Sequence, residues 1–302
     1  MNITRKLFLI TTVLIGFASD TFAQSKRRLD YDSLLVGDLI TPAVSSVMMP
    51  KTYTEIILNS SLVTTHTLFT EDRDKLDMDW RSTTSINTLQ VTHGISSSGR
   101  FNVGLDLSYR MRRMDGDPES SAFDVFSDKS DGLIEYQRSF TSVGIRARYV
   151  PTRNRNFVIQ NIFSIPISSA SADESAFLGD NRYALNTQFL YTQLLGRKVF
   201  LFGQFDVLVR FEDDQNTMDF TNPINIFGTY LLNDHIFPFV QLGMMNMWDE
   251  DFEHLGQSFT YGVGLQYQFS TMFNINAFYN EVFAGKSIYQ FKGLNLGIRV
   301  VL

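Results

Sequence analysis

The chain has 302 residues, a formal charge of −6, 27 Phe, 12 Tyr and no cysteine. The lack of thiols excludes a disulfide-braced or thiolate–metal fold, and the mild acidity argues against a nucleic-acid binder. No stretch reaches the run of about 18 apolar residues that would mark a membrane-spanning helix.

The N-terminus reads as a secretory signal peptide over residues 1–23. Arg5 and Lys6 supply a charged start, Leu7 to Phe17 an apolar stretch, and Thr21-Phe22-Ala23 a small-x-small site before Gln24, placing cleavage near Ala23. A membrane anchor is the alternative, but the apolar run is far short of the roughly 20 residues a spanning helix needs. Cleavage would remove Arg5, Lys6 and Asp20, taking the charge from −6 to −7. Residues 24–52 differ in kind. They combine basic Ser25-Lys26-Arg27-Arg28, a short apolar stretch from Leu34 to Ile40, and an irregular run between Pro42 and Pro50. This segment is either a periplasmic leader feeding the first strand or a plug tucked into a lumen.

From residue 53 to 302 the pattern predicts about twelve strands. Segments 53–68 and 82–95 flank a charged loop, Glu71 to Lys75. The turn Ser96–Gly99 leads to 101–112, and an acidic loop spans 113–135. Segment 138–150 and the turn Pro151–Asn154 precede 157–168, the loop 169–182 and segment 183–195. Gly196-Arg197-Lys198 turns into 199–211, and loop 212–221 follows. Segments 224–232 and 236–247 flank Asn233–His235, and loop 248–257 carries Asp249-Glu250-Asp251. Segments 258–269 and 273–284 flank Ser270-Thr271, and 290–302 ends the chain. Connections that alternate long and short, an even strand number and strands of about 10–13 residues describe a transmembrane antiparallel β-barrel with long outer loops and short periplasmic turns. A soluble all-β sandwich with one wet face is the competing fold.

Period-2 alternation assigns the faces. Phe101, Val103, Leu105, Leu107, Tyr109 and Met111 would face lipid; Phe259 to Phe269 and Leu294 to Leu302 repeat the pattern. Segment 82–95 has no clean alternation, and its faces stay unassigned. The aromatic residues suit interfacial girdles.

The inward set carries charge: Arg110, Arg112, Arg146, Arg148, Arg210 and Arg299, with Glu55, Asp106 and Asp206. These nine are the candidate pore-lining residues. Rings of arginine favour anions; alternatively the charges form a salt-bridged filling that stiffens the wall. The acidic loops lack calcium-loop spacing and read as solvated surface. No motif for catalysis, metal or cofactor is present. The four histidines were weighed for hydrolase chemistry: His66 near Ser60, Ser61 and Asn59, and His254 near Asp251, match no diagnostic spacing.

The last strand, with Leu294, Leu296, Ile298, Val300 and Leu302 alternating and Tyr289 and Phe291 upstream, resembles the terminal strand by which bacterial outer-membrane barrels are recognised by their assembly machinery. Its final Leu302 departs from the usual Phe. Thr41-Pro42, Met49-Pro50-Lys51, Val91-Thr92-His93-Gly94 and Leu105 to Tyr109 resemble the barrels of the phenol-degradation meta-pathway family, although that family's Pro-Thr-Gly-Asp signature is only echoed at Phe177-Leu178-Gly179-Asp180. The resemblance implies an outer-membrane barrel of a Gram-negative envelope, meeting lipid, lipopolysaccharide and the assembly machinery. The expected function is passive diffusion of small polar, including anionic, solutes. The alternative is a structural barrel of a larger envelope complex.

Overall fold

The computed structural model describes residues 47–127, 132–152, 155–167, 177–178, 182–213 and 217–302. The signal peptide and the 24–52 segment up to residue 46 lie outside the described residues. Strands β1 (Thr54–Phe69), β2 (Lys75–Gly94), β3 (Phe101–Asp115), β4 (Leu133–Tyr149), β5 (Phe157–Pro166), β6 (Ala184–Leu195), β7 (Val199–Arg210), β8 (Asp219–Tyr230), β9 (Ile236–Trp248), β10 (His254–Ser270), β11 (Phe273–Lys286) and β13 (Lys292–Val301) make the wall. The fragment β12, Ile288–Tyr289, adds two residues beside β1.

Each strand pairs antiparallel with its chain neighbour, and β1 also pairs with β13, from Glu55↔Val301 to Thr64↔Lys292. Thr54 and Leu302 exchange both backbone hydrogen bonds at that seam. The sheet therefore closes, which is what removes unpaired edges from a strand protein in lipid. The fold is a twelve-stranded transmembrane β-barrel.

Residues 95–100, 196–198 and 271–272 connect strands at one end, here the turn end, where the chain also enters and leaves the barrel. The opposite loop end departs from the expected lengths. β2 begins at Lys75, which reduces the expected charged loop to a turn over 70–74 closed by Thr70 N–H donating to the Asp74 carbonyl at 2.8 Å. β4 begins at Leu133 and β8 at Asp219, both inside spans read as loop. Polar sequence hid these extensions, because a strand that rises out of lipid needs no apolar face once its neighbour supplies the hydrogen bonds. Long connections remain at 116–132 and 167–183.

The outer face carries the expected apolar residues. Leu105 on β3 is 58% exposed, and Val263 and Leu265 on β10 and Leu296 and Ile298 on β13 are exposed as well. Phe101, Tyr191, Tyr230 and Tyr267 ring the turn end, while Phe140, Tyr183, Tyr261 and Phe283 ring the loop end. Such girdles fit the two membrane interfaces.

β2 explains its own irregular pattern. Glu55 faces inward and pairs with Thr92, so Val91, Leu89, Asn87, Ser85 and Thr83 face outward. The three polar residues would be misplaced in bare lipid. Ser60 donates to Asn87 (2.7 Å), Asn87 to Ser85 (3.1 Å), and Thr64 bonds Thr83 (3.0 Å). A 3-10 turn at Ala122–Phe126 packs against β1, β2 and β3, with Val125 fully buried and Ser85 and Thr83 nearly so. Arg113, in the outward register, is pinned there by Asp115 at 2.8 Å and reaches the Asp124 carbonyl.

Candidate functional site

The lumen gathers the charged candidates. All nine predicted residues lie on the inner face, because each pairs in register with another inward residue. They form separate groups rather than one ring.

The first group closes the turn end. Arg299 on β13 donates to Glu55 Oε1 at 2.7 Å, and Arg148 on β4 reaches Glu55 Oε2 at 3.4 Å. β2 and β3 lie between β1 and β4, so this pair spans the lumen. Arg146 bonds Asp106 at 2.6 Å. Gln160 links the two pairs by accepting from Arg148 at 2.7 Å and Arg146 at 3.3 Å. Glu55, Arg148 and Arg146 are almost wholly buried. A buried charge is tolerated only when paired and hydrogen-bonded, and here each is.

The incoming chain locks into the same floor. Met49 N–H donates to Asn102 Oδ1 at 2.9 Å, and Asn102 Nδ2 returns a bond to the Met49 carbonyl at 2.8 Å. Arg148 also donates to the Val47 carbonyl. Gly94 has no room for a Cβ because the Pro50 carbonyl lies against it. Met48 packs on an apolar cluster of Val150, Val158, Leu190, Phe202, Phe227 and Phe239, joined by Phe278. These side chains are inward as well, so the other half of the floor is aromatic. Phe237 and Gln266 beside them are fully buried. The turn end of the lumen is therefore packed.

Above the floor the two halves diverge. On β6 to β7, Asp206 accepts from Gln188 (2.9 Å) and Gln204 (2.8 Å). On β8 to β13 the inward residues include the amides, hydroxyls and glycines Asn225, Gln241, Gly243, Thr260, Gly262, Asn276, Asn280, Gly293, Asn295 and Gly297, with Met245, Met247 and Val282 joining an apolar cluster with Phe69 and Ile288 toward the loop end. Ser61 bonds Asn295 at 2.6 Å, Asn295 bonds Asn280 at 2.8 Å, and Gln241 bonds Asn225 at 2.8 Å.

At the loop end, Arg110 donates to the Leu178 carbonyl at 3.1 Å and Arg112 to the Phe177 carbonyl at 2.6 Å. The Arg112 guanidinium also lies 4.7 Å from the Phe177 ring centre, a cation–π contact. Residues Phe177 and Leu178 thus lie against the lumen wall. Arg210 pairs with Asp219 at 2.7 Å, and Arg182 with the same carboxylate.

Sequence reasoning missed Asp219, which it left in a loop, and Arg182. It also missed Asn102 and Gln160, whose partners lie on other segments of the chain. The amides were visible in the alternation but carried no charge to attract notice. The histidines stay apart: His93 bonds Thr54, His235 bonds the Gln268 carbonyl, and His254 packs on Trp248. Ser60 and Ser61 are engaged with Asn87 and Asn295. Among the described residues no group of three His, Asp or Glu could hold a metal.

A family model described as "Putative MetA-pathway of phenol degradation" matches residues 69–300. No curated protein matches the sequence. Among solved structures, an outer-membrane channel from Pseudomonas putida F1 is similar at 14% identity, covering 87% of this chain and 100% of that one, with a TM-score of 0.65. The beta domain of the Bordetella autotransporter BrkA is similar at 13% identity over 83% of this chain and 100% of that one, with a TM-score of 0.56.

Proposed function

We propose that this chain, which belongs to the phenol-degradation MetA-pathway family, is an outer-membrane channel for passive diffusion of small polar solutes, with its turn end in the periplasm. The observation that carries this reading is the contrast between faces. The outside is apolar between two aromatic girdles, while the inside holds paired charges, amides and hydroxyls alongside two apolar clusters. A barrel with no transport role could fill its interior with apolar side chains at lower desolvation cost.

Arg110 and Arg112, inward on β3 near the loop end, support an anion preference at the outer mouth. The floor pairs contribute less, because Glu55 and Asp106 offset the arginines beside them.

The packed floor favours a second reading, an accessory barrel of a larger envelope complex. Single-channel recording in a planar bilayer separates the two. A channel conducts in the wild type or after Asn102→Ala frees the Met49 segment, and Arg110→Ser with Arg112→Ser moves its reversal potential in a salt gradient toward cations. Silence from both the wild type and Asn102→Ala would leave the accessory reading standing.

A further inference from the structure

One sector of the lumen wall is uncharged and rich in hydrogen-bonding groups. On β8 to β11, between the floor and Asp219 at the rim, no described lumen-facing residue is charged. Inward amides here lie against glycines of the neighbouring strand. A Cβ at Gly297 would strike the Asn276 carboxamide, one at Gly293 the Asn280 carboxamide, one at Gly243 the Asn225 carboxamide, and one at Gly262 would sit 2.9 Å from Gln241 Oε1. Each glycine lets its amide lie flat on the wall instead of projecting into the lumen. The same arrangement occurs four times across three strand pairs.

The hydrogen-bonding capacity is not used up. Asn280 accepts from Asn295, yet its amide nitrogen and both polar atoms of half-buried Asn276 bond no described residue. Gln241 Oε1 is buried on the inner face without a partner. A buried polar atom left unsatisfied costs about 1–3 kcal/mol, so the site favours a solute or water that supplies the missing bonds. Phe278 faces the lumen between Asn276 and Asn280 on β11 and packs on Phe239 with ring centres 5.7 Å apart.

We propose that Asn276, Asn280, Asn295, Gln241 and Asn225, around Phe278, form a lumen subsite for small neutral polyhydroxylated solutes of sugar or polyol size. Carboxamides offer a donor and an acceptor side by side, which match vicinal hydroxyls. An aromatic ring takes the apolar C–H face of the same molecule, and the lack of charge removes any advantage for ions. The proposal deepens the channel reading and rests on it for access to the site, but not for binding.

Saturation-transfer NMR of D-glucose with the full chain folded in detergent reads the subsite without conduction. Transfer is expected in the wild type and is reduced about tenfold in Asn276→Leu/Asn280→Leu, the loss expected for one or two hydrogen bonds. Asn276→Ser/Asn280→Ser, a milder pair, serves if the leucine variant fails to fold. Liposome swelling is the second arm: D-sorbitol entry falls about tenfold in the variant while KCl conductance stays within about twofold. Absence of transfer in the wild type, or equal transfer in wild type and variant, overturns the subsite. Transfer that behaves as expected in a barrel without KCl conductance overturns the channel reading and leaves the subsite standing.

Discussion

The two halves of the lumen handle polarity in opposite ways. Along β1, β3, β4 and β13, Glu55, Asp106, Arg146, Arg148 and Arg299 meet one another across the space and fill it. Along β8 to β11, amides fold flat against glycines. Charge in a confined lumen must find a partner, so it draws the walls together. Neutral amides can satisfy each other sideways along the sheet. A barrel can thus carry a charged sector and a neutral sector at one circumference without any change in its backbone.

The largest break in this contrast comes from Glu55→Ala. It strands Arg148 and Arg299 in the floor and should cost about 3–5 kcal/mol, measured by urea unfolding in lipid. A loss under about 1 kcal/mol would mean that water already serves the two arginines. Next, the difference should exist only inside. Leu105→Arg on the charged half and Leu265→Arg on the neutral half both put a cation in lipid, and each should lower stability by about 2–4 kcal/mol. Clearly unequal losses would show that the outer faces differ too.

Gly297→Val probes the neutral half. It should push Asn276 off the wall, cost about 1–3 kcal/mol by overpacking, and narrow the conductance. An unchanged conductance would place the conducting path elsewhere. The smallest effect is expected for Asn102→Ala. Two hydrogen bonds to Met49 are lost, about 0.5–1.5 kcal/mol each, and the readout is faster proteolysis of the N-terminal segment with little change in unfolding. Unaltered proteolysis would mean that Arg148 and Met48 hold the segment without Asn102.

Most of the barrel was legible in the sequence because lipid enforces a strict two-residue period. Leu105, Val263 and Leu296 could be placed outward for that reason alone. The rule failed on β2, where Asn87, Ser85 and Thr83 occupy outward positions beside the 3-10 turn around Val125. Nothing local announces that a distant loop folds down over them. The inward placement of Glu55 and Arg148 was readable, but their meeting was not. It depends on barrel curvature, which brings together strands that share no hydrogen bond. The Gly–amide pairs sat in plain view in Gly293-Leu-Asn295-Leu-Gly297, yet only the cross-strand register shows which amide lies over which glycine.

The Glu55–Arg299 contact joins residues 244 positions apart, across the last seam that the chain can close. Such a long-range pairing is kinetically slow, and several registers compete for it while β1 and β13 wait open. A slip of one residue would turn Arg299 toward hydrocarbon and leave Glu55 only Arg148. The ion pair therefore favours the native alignment of the two terminal strands over its neighbours.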